Sequence, residues 1–320
     1  MTSVSAELAR TITRASSKQS YYTARLMVDQ HLEFDCYRAY GYFRWVDDVV
    51  DIECSTQDAR LAFVRRQKEL VECLYRSESP LDLTPEEEIL ADLIRNDRRG
   101  SYRLRSYIRN FLAIIEFDAE RKGRLISQRE LDWYANTLGK AVTDGIQYFI
   151  CNDYPYPESE KRYLAATAAH IAHMLRDLRE DLPEGYINIP IEQIEACQLD
   201  LQQPDNLAMR AWVKERVELA RQYFAEGKQY LDELPVLRCR IVAYWYCARF
   251  EGLLETIERD GYILRDTYPK SNKLATWLRF AGIALEQTWQ HARFHIRRGS
   301  GPCNMPSGGR LDEPFDMALK

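Results

Sequence analysis

Residues 40–51 read YGYFRWVDDVVD and place Asp47 and Asp51 four positions apart in an apolar, aromatic run. On a helix the two carboxylates stack on one face, because side chains at i and i+4 lie one above the other. A pair with the same spacing, Asp177 and Asp181, recurs in residues 173–190, HMLRDLREDLPEGYINIP. Both pairs gain meaning only on helices, so helical periodicity in the rest of the chain decides the fold.

The 14 Gly and 12 Pro are few for 320 residues, and they cluster between stretches whose apolar residues recur at three- and four-residue spacing. No run alternates apolar and polar residues as a strand would. The pattern predicts an all-α fold of long helices and short turns. Helices are expected from near Ser20 (carrying Tyr21, Tyr22, Leu26 and Met27), over Leu32–Cys54, and over Gln57–Tyr75. Thr84, Pro85 and Glu87 form a capping box for a helix to Asn96. Another runs from Ser101 to Lys122, ended by Gly123. Ser127 and Glu130 open one to about Cys151. A helix from Ser159 is ended by Pro183 and Gly185, one capped by Asp205 runs to Leu234, and one from Pro235 reaches Asp260, with Gly261 and Pro269 beyond it. The last spans Asn272–Arg297. No composition shift divides the chain before residue 298, which predicts one domain over 1–298. The Gly-, Pro- and Ser-rich segment 299–320 is expected to be a flexible tail.

Composition narrows the function. Apolar residues make up 46% of the chain, charged residues 29%, and the net charge is −5, with no basic stripe of the kind nucleic acid requires. The eight cysteines form no CxxC pair, which argues against a zinc ribbon and for reduced, mostly buried thiols in a cytoplasmic protein. The N-terminus has no secretory h-region. No segment reaches the ~20 apolar residues of a spanning helix. A soluble protein is expected, with peripheral contact at a membrane surface left open; nothing in the sequence sets the oligomeric state.

The aspartates carry the chemistry. Mg²⁺ takes few protein carboxylates and completes its octahedron with water and substrate phosphate oxygens. Two helices each carrying a carboxylate pair can hold such ions, and a diphosphate, between them. Acidic residues four apart more often mark a solvated helix face. Here Tyr40, Tyr42, Phe43, Trp45 and Val46 precede the acids and Val49 and Val50 follow Asp48, so the helix reads as buried nearly all round. A buried carboxylate needs compensation, from Arg44 or from a metal.

Three blocks make the chain resemble the squalene/phytoene synthase family, the head-to-head prenyl-diphosphate synthases. They are SSKQSYYTARLM (residues 16–27), AYGYFRWVDDVVD (39–51) and HMLRDLREDLPEGYINIP (173–190). Weaker likeness runs through FDAERKGRLISQRELDWYANTLG and ERDGYILRDTYPKSNKL, so the resemblance covers roughly residues 14–280. It implies an isoprenoid-synthase-type bundle around a central apolar cavity, with the two acidic helices facing each other across its mouth. It implies Mg²⁺, with Mn²⁺ as a substitute, bound by Asp47, Asp51, Asp177 and Asp181. Ser17, Lys18, Ser20, Tyr21 and Arg44 would hold substrate, helped by Arg176. Tyr134 would lie near the reacting carbons. NADPH would be needed only for a squalene-type product. The 20 Tyr, 6 Trp and 11 Phe could line the pocket, with ring faces that favour a cation, though core packing accounts for most of them.

Departures from the family pattern stand beside these likenesses. His170 and His173 replace a usual glutamine and asparagine, the latter normally a metal ligand, and both histidines are expected at the site, His173 one turn before Asp177. Lys140 replaces a glycine in Leu138-Gly139-Lys140-Ala141-Val142-Thr143 and becomes a further candidate for substrate contact. Tyr186-Ile187-Asn188 stands where the family carries Arg-x-Tyr. Three other readings remain at this stage: different prenyl-diphosphate ionisation chemistry on the same scaffold, a non-catalytic binding or assembly protein, and a His/carboxylate metal oxidase. The last lacks the paired Glu-x-x-His pattern of di-iron bundles.

Overall fold

A computed structural model describes residues 3–78, 80, 82–97, 100–150, 154–268 and 273–297, with the side chains of 273, 274 and 294–297 excepted. Its regular elements are helices: α1 (Val4–Ser16), α2 (Lys18–Met27), α3 (Glu33–Asp48), α4 (Gln57–Tyr75), α5 (Pro85–Asn96), α6 (Tyr102–Arg121), α7 (Gln128–Phe149), α8 (Leu164–Glu184), α9 (Ile191–Cys197), α10 (Leu207–Glu233), α11 (Leu237–Arg259) and α12 (Lys273–Arg297). The expected tail, Cys151, Pro269 and Asn272 lie outside the described residues.

Local chemistry sets most boundaries. The capping boxes form as expected: Thr84 and Ser127 accept from the backbone of Glu87 and Glu130, whose side chains bond back to the cap residues. The cap of α10 is Asn206 rather than Asp205, whose carboxylate pairs with Arg179 instead. The N-terminus holds two helices where one was expected. Ser3 caps α1, which buries Ser5, Ala6, Ala9 and Thr13, and Ser17 caps α2. Small buried residues gave α1 too weak an apolar pattern to read. The expected Leu32–Cys54 helix stops being α-helical at Asp48 and continues as a π-helical segment, Val49–Glu53. Such single-turn π segments often occur at functional sites.

The core is built around α8, which packs against α7, α10 and α11, while α3 packs against α1 and α5 and α6 lies between α7 and α4. Close approach requires glycine at two crossings. A Cβ on Gly227 would come within 2.4 Å of the Ala165 backbone nitrogen, and one on Gly139 within 2.4 Å of Thr167 Oγ1. Below the acidic residues the interior is aromatic: Phe43, Tyr107 and Phe111 meet with ring centroids 4.9–5.4 Å apart. At one helix crossing the buried Arg162 bonds Asp144 at 2.9 Å and Gln147 at 2.7 Å. Of the described cysteines, Cys239 and Cys247 are buried and Cys197 is exposed.

Candidate active site

The first acidic pair sits where α3 gives way to the π segment. The end of this helix is less enclosed than its sequence suggests: Asp47 keeps 49% of its side-chain surface and Asp51 is exposed. Arg44, one turn earlier, reaches Asp47 at 3.2 Å and grips Asp48 with two nitrogens. Burial first, then the Asp51 charge, raises the Asp47 carboxyl to about 6, against the pull of Arg44.

The second pair lies on α8. Asp177 is held bidentately by its neighbour Arg176 at 2.6 and 2.7 Å. Asp181 accepts from Asn188 Nδ2 at 3.1 Å and is pushed up to about 7 by burial and by the Asp177 charge. His173 shares its Nε2 with Arg176 and stands 3.3 Å from Asp177. Burial and Arg176 lower its pKa, so the ring is neutral. His170 is buried on the same face, its ring tilted against Tyr134 with centroids 4.9 Å apart.

A charged relay from α6 connects the two pairs. Asp118 accepts from Arg121 at 2.7 Å and from the Tyr134 phenol at 2.9 Å. Its charge is felt at both Asp47 and Asp181, and burial raises its own carboxyl. The Arg121 guanidinium faces the rings of Tyr134 at 5.0 Å and Tyr186 at 5.5 Å, and Lys122 covers Tyr186 at 4.9 Å. The Tyr186 phenol donates to Asp51 at 3.4 Å. Gly185, with φ 86°, ends α8, and its carbonyl accepts from the Gly123 N–H at 2.9 Å. That bond fixes Tyr186 beside the α6–α7 turn.

The structure therefore brings Asp47, Asp51, Asp177, Asp181, Arg44, Arg176, Tyr134, His170 and His173 to one end of the bundle. The first turn of α2 lies beside them: Arg249 of α11 donates to Gln19 at 3.2 Å and also feels the charges of Arg176 and Asp177. Ser17 and Ser20 bond each other at 2.9 Å, and Lys18 is exposed. Tyr21 faces inward, stacked on Tyr37 with centroids 5.4 Å apart. Lys140 is not brought in: it lies on the exposed face of α7 with Asp132, Trp133 and Asn136, because inward-facing Gly139 and Ala141 make the helix contacts. A cavity of about 190 Å³ between α7, α8 and α10, lined by Leu131, Ile171, Leu178 and Trp212 among others, contains none of the motif aspartates.

Asp118, Arg121 and Arg249 escaped the sequence reading. Asp118 and Arg121 carried a usable signal, an acid and a base three apart beside the apolar run of α6, the same logic that marked Arg44 and Asp47. Arg249 had only its place in an aromatic helix.

The carboxylates suit Mg²⁺. Among the described residues no three His, Cys, Asp or Glu side chains come together as a ready-made cage. Mg²⁺ does not need one, since it binds through one or two carboxylates with water and phosphate oxygens. Asp47 and Asp181 carry raised pKa values that a nearby cation would relieve.

A family model described as squalene/phytoene synthase matches residues 13–277. A bifunctional lycopene cyclase/phytoene synthase from Leptosphaeria maculans is 22% identical over 289 residues, covering 81% of this chain. The chain spans about half (48%) of that relative's length. The fold matches the squalene synthase HpnC from Alicyclobacillus acidocaldarius at TM-score 0.64 and 23% identity, covering 82% of this chain and 95% of that one. It matches a ligand-bound dehydrosqualene synthase at TM-score 0.67 and 15% identity, covering 92% and 97%. No described helix is long and apolar enough to cross a membrane.

Proposed function

The chain belongs to the squalene/phytoene synthase family, and from that premise we propose that it condenses two prenyl diphosphates head to head. The observation that carries this reading is the meeting of the two acidic pairs at one end of the bundle, linked through Asp118, Arg121 and Tyr186. Asp47, Asp51, Asp177 and Asp181 would hold Mg²⁺ or Mn²⁺, which when bound neutralises diphosphate charge. Arg44, Arg176 and Arg249, with Lys18 and the serines of α2, supply positive charge and donors for the departing diphosphate, stabilising the charge that develops as it leaves. Tyr134 and the aromatic interior exclude water and present ring faces to the allylic cation.

In this reaction the cation from one substrate is attacked by the 2,3 double bond of a second, giving a cyclopropylcarbinyl diphosphate. A second ionisation and rearrangement join the two chains between their first carbons. Proton loss then gives a phytoene-type product; hydride from NADPH gives a squalene-type one. Substrates of farnesyl or geranylgeranyl length both suit the chemistry. We place the protein in the cytoplasm, with the exposed Trp277, Leu278, Leu285 and Trp289 of α12 supporting contact with a lipid surface.

A second reading keeps the ionisation step and changes the outcome to cyclisation, water capture or a stop at the cyclopropyl stage. Tyr186 and Asn188 favour it, because they stand against Asp51 and Asp181 in place of family-typical residues. Purified protein with Mg²⁺ and either diphosphate, with and without NADPH, tests both readings through diphosphate release and lipid products. Release abolished by Asp47→Asn and Asp177→Asn supports the metal-assisted clamp; release that survives both overturns it. A wild type that binds both substrates and turns over neither is a binding protein.

A further inference from the structure

His170 lies on the α8 face that carries Asp177 and Asp181, two turns deeper into the bundle. Seven residues at about 1.5 Å each put it roughly 10 Å below Asp177 along the helix. It is 5% exposed. Neither ring nitrogen has a hydrogen-bond partner among the described residues, and both are closed to solvent. A buried polar atom without a partner is costly, and an apolar side chain would fill the same space without that cost. Burial first, then its neighbours His173 and Arg121, drives the imidazole down to about 3. His170 is therefore neutral, with one ring nitrogen always carrying a free lone pair. His173 is differently placed, since its Nε2 is engaged by Arg176 and Asp177.

We propose that His170 is the proton acceptor that ends the cation reaction and makes a proton-loss alkene the product. The inference rests on the prenyl-diphosphate reading above. Departure of diphosphate leaves a positive carbon and makes the C–H bonds beside it strongly acidic. The lone pair of the neutral ring nitrogen takes one such proton. The electron pair of that C–H bond becomes the second bond of a new carbon–carbon double bond, and the ring becomes imidazolium. The buried imidazolium is a strong acid and loses its proton to water admitted when the product leaves, which restores neutral His170. No oxidant or reductant is consumed.

A weak base suffices, because a carbocation is a far stronger acid than any imidazolium. The sealing of the site serves the same end, since a base open to solvent would bring water to capture the cation as an alcohol. Tyr134 provides the approach: a chain that reaches its ring reaches His170, which packs on it at 4.9 Å.

Wild type, His170→Gln and His170→Ala are compared with Mg²⁺ and farnesyl or geranylgeranyl diphosphate, without NADPH. Diphosphate release, lipid products and thermal melts are recorded. Both variants are expected to release diphosphate from the first ionisation within about threefold of wild type. The final hydrocarbon falls at least tenfold, and the cyclopropylcarbinyl diphosphate or alcohols derived from it accumulate. Added imidazole restores the hydrocarbon in His170→Ala. The same hydrocarbon at the same partition in both variants overturns the proposal. So does a wild-type product that forms only with NADPH, and so does loss of the folded melt in both variants, which would assign His170 to packing. Absence of diphosphate release from wild type removes the prenyl-diphosphate reading itself, and is distinguishable from all three.

Discussion

The phenol of Tyr186 donates to Asp51 across 3.4 Å, joining the turn behind the second acidic helix to the end of the first. The contact is long for an O–H···O bond, yet it is reinforced from behind by Lys122 and Arg121 on the Tyr186 ring. Its effect is to orient a carboxylate that would otherwise turn freely in solvent. Tyr186→Phe should raise the Mg²⁺ concentration for half-maximal diphosphate release by about 2- to 10-fold, the effect of one hydrogen bond of ~0.5–1.5 kcal/mol. The maximal rate should change less. Calorimetric Mg²⁺ titration with a non-hydrolysable diphosphate checks the same point without turnover; unchanged affinity would assign Tyr186 to packing alone.

The raised carboxyls set a pH dependence. Asp47 at about 6 and Asp181 at about 7 bind protons more tightly folded than unfolded. Between the unfolded carboxylate range near pH 4 and these values, the folded state holds the extra protons, so stability falls as pH rises. Because Asp47 is half exposed, screening reduces the effect. Asp181→Asn, without metal at pH 8, should raise the melting temperature by about 2 °C while abolishing turnover. A melt that drops at pH 8 would contradict this.

Metal should act on the same charges. Mg²⁺ with inorganic diphosphate should raise the melting temperature at pH 8 and have a weaker effect at pH 5.5, where Asp47 and Asp181 are largely protonated. Chelator should reverse the gain. Equal shifts at both pH values would place the ligands elsewhere.

Asp118 accepts from both Tyr134 and Arg121, and Arg121 is 2% exposed. Asp118→Ala should lower the turnover number by about 10²-fold through displacement of Tyr134. Lys140→Ala, on the exposed face of α7, should leave kcat/KM within twofold. Steady-state kinetics on the two variants separates the relay from the surface, and a large loss at Lys140 would mean that substrate reaches the outer face of α7.

Gly227 tests the packing beneath the site. The added Cβ of Gly227→Ala would meet backbone at 2.4 Å, and backbone cannot rotate away. A loss of about 1–3 kcal/mol is expected. Gly139→Ala meets the Thr167 side chain instead and should cost less. Denaturant unfolding ranks the two.

Much of this protein is written locally. Capping at Thr84 and Ser127 depends on residues three apart, and the placing of Asp177 and Asp181 on one face of α8 depends on residues four apart. Spacing alone therefore fixed an all-helical chain and the acidic face of α8. The weakly apolar α1, the π-helical end of α3 and the outward turn of Lys140 were not legible. Each depends on what the neighbouring helices occupy. Nor could spacing say that both His170 nitrogens would be left without partners among the described residues. The meeting of Asp51, Asp118, Tyr134 and Tyr186 was decided by tertiary docking. These residues come from four different segments, brought within reach of one another by the packing of α6 on α7 and the joining of the Gly123 and Gly185 turns. Helix formation answers to neighbours along the chain; the site's electrostatics answer to neighbours in space.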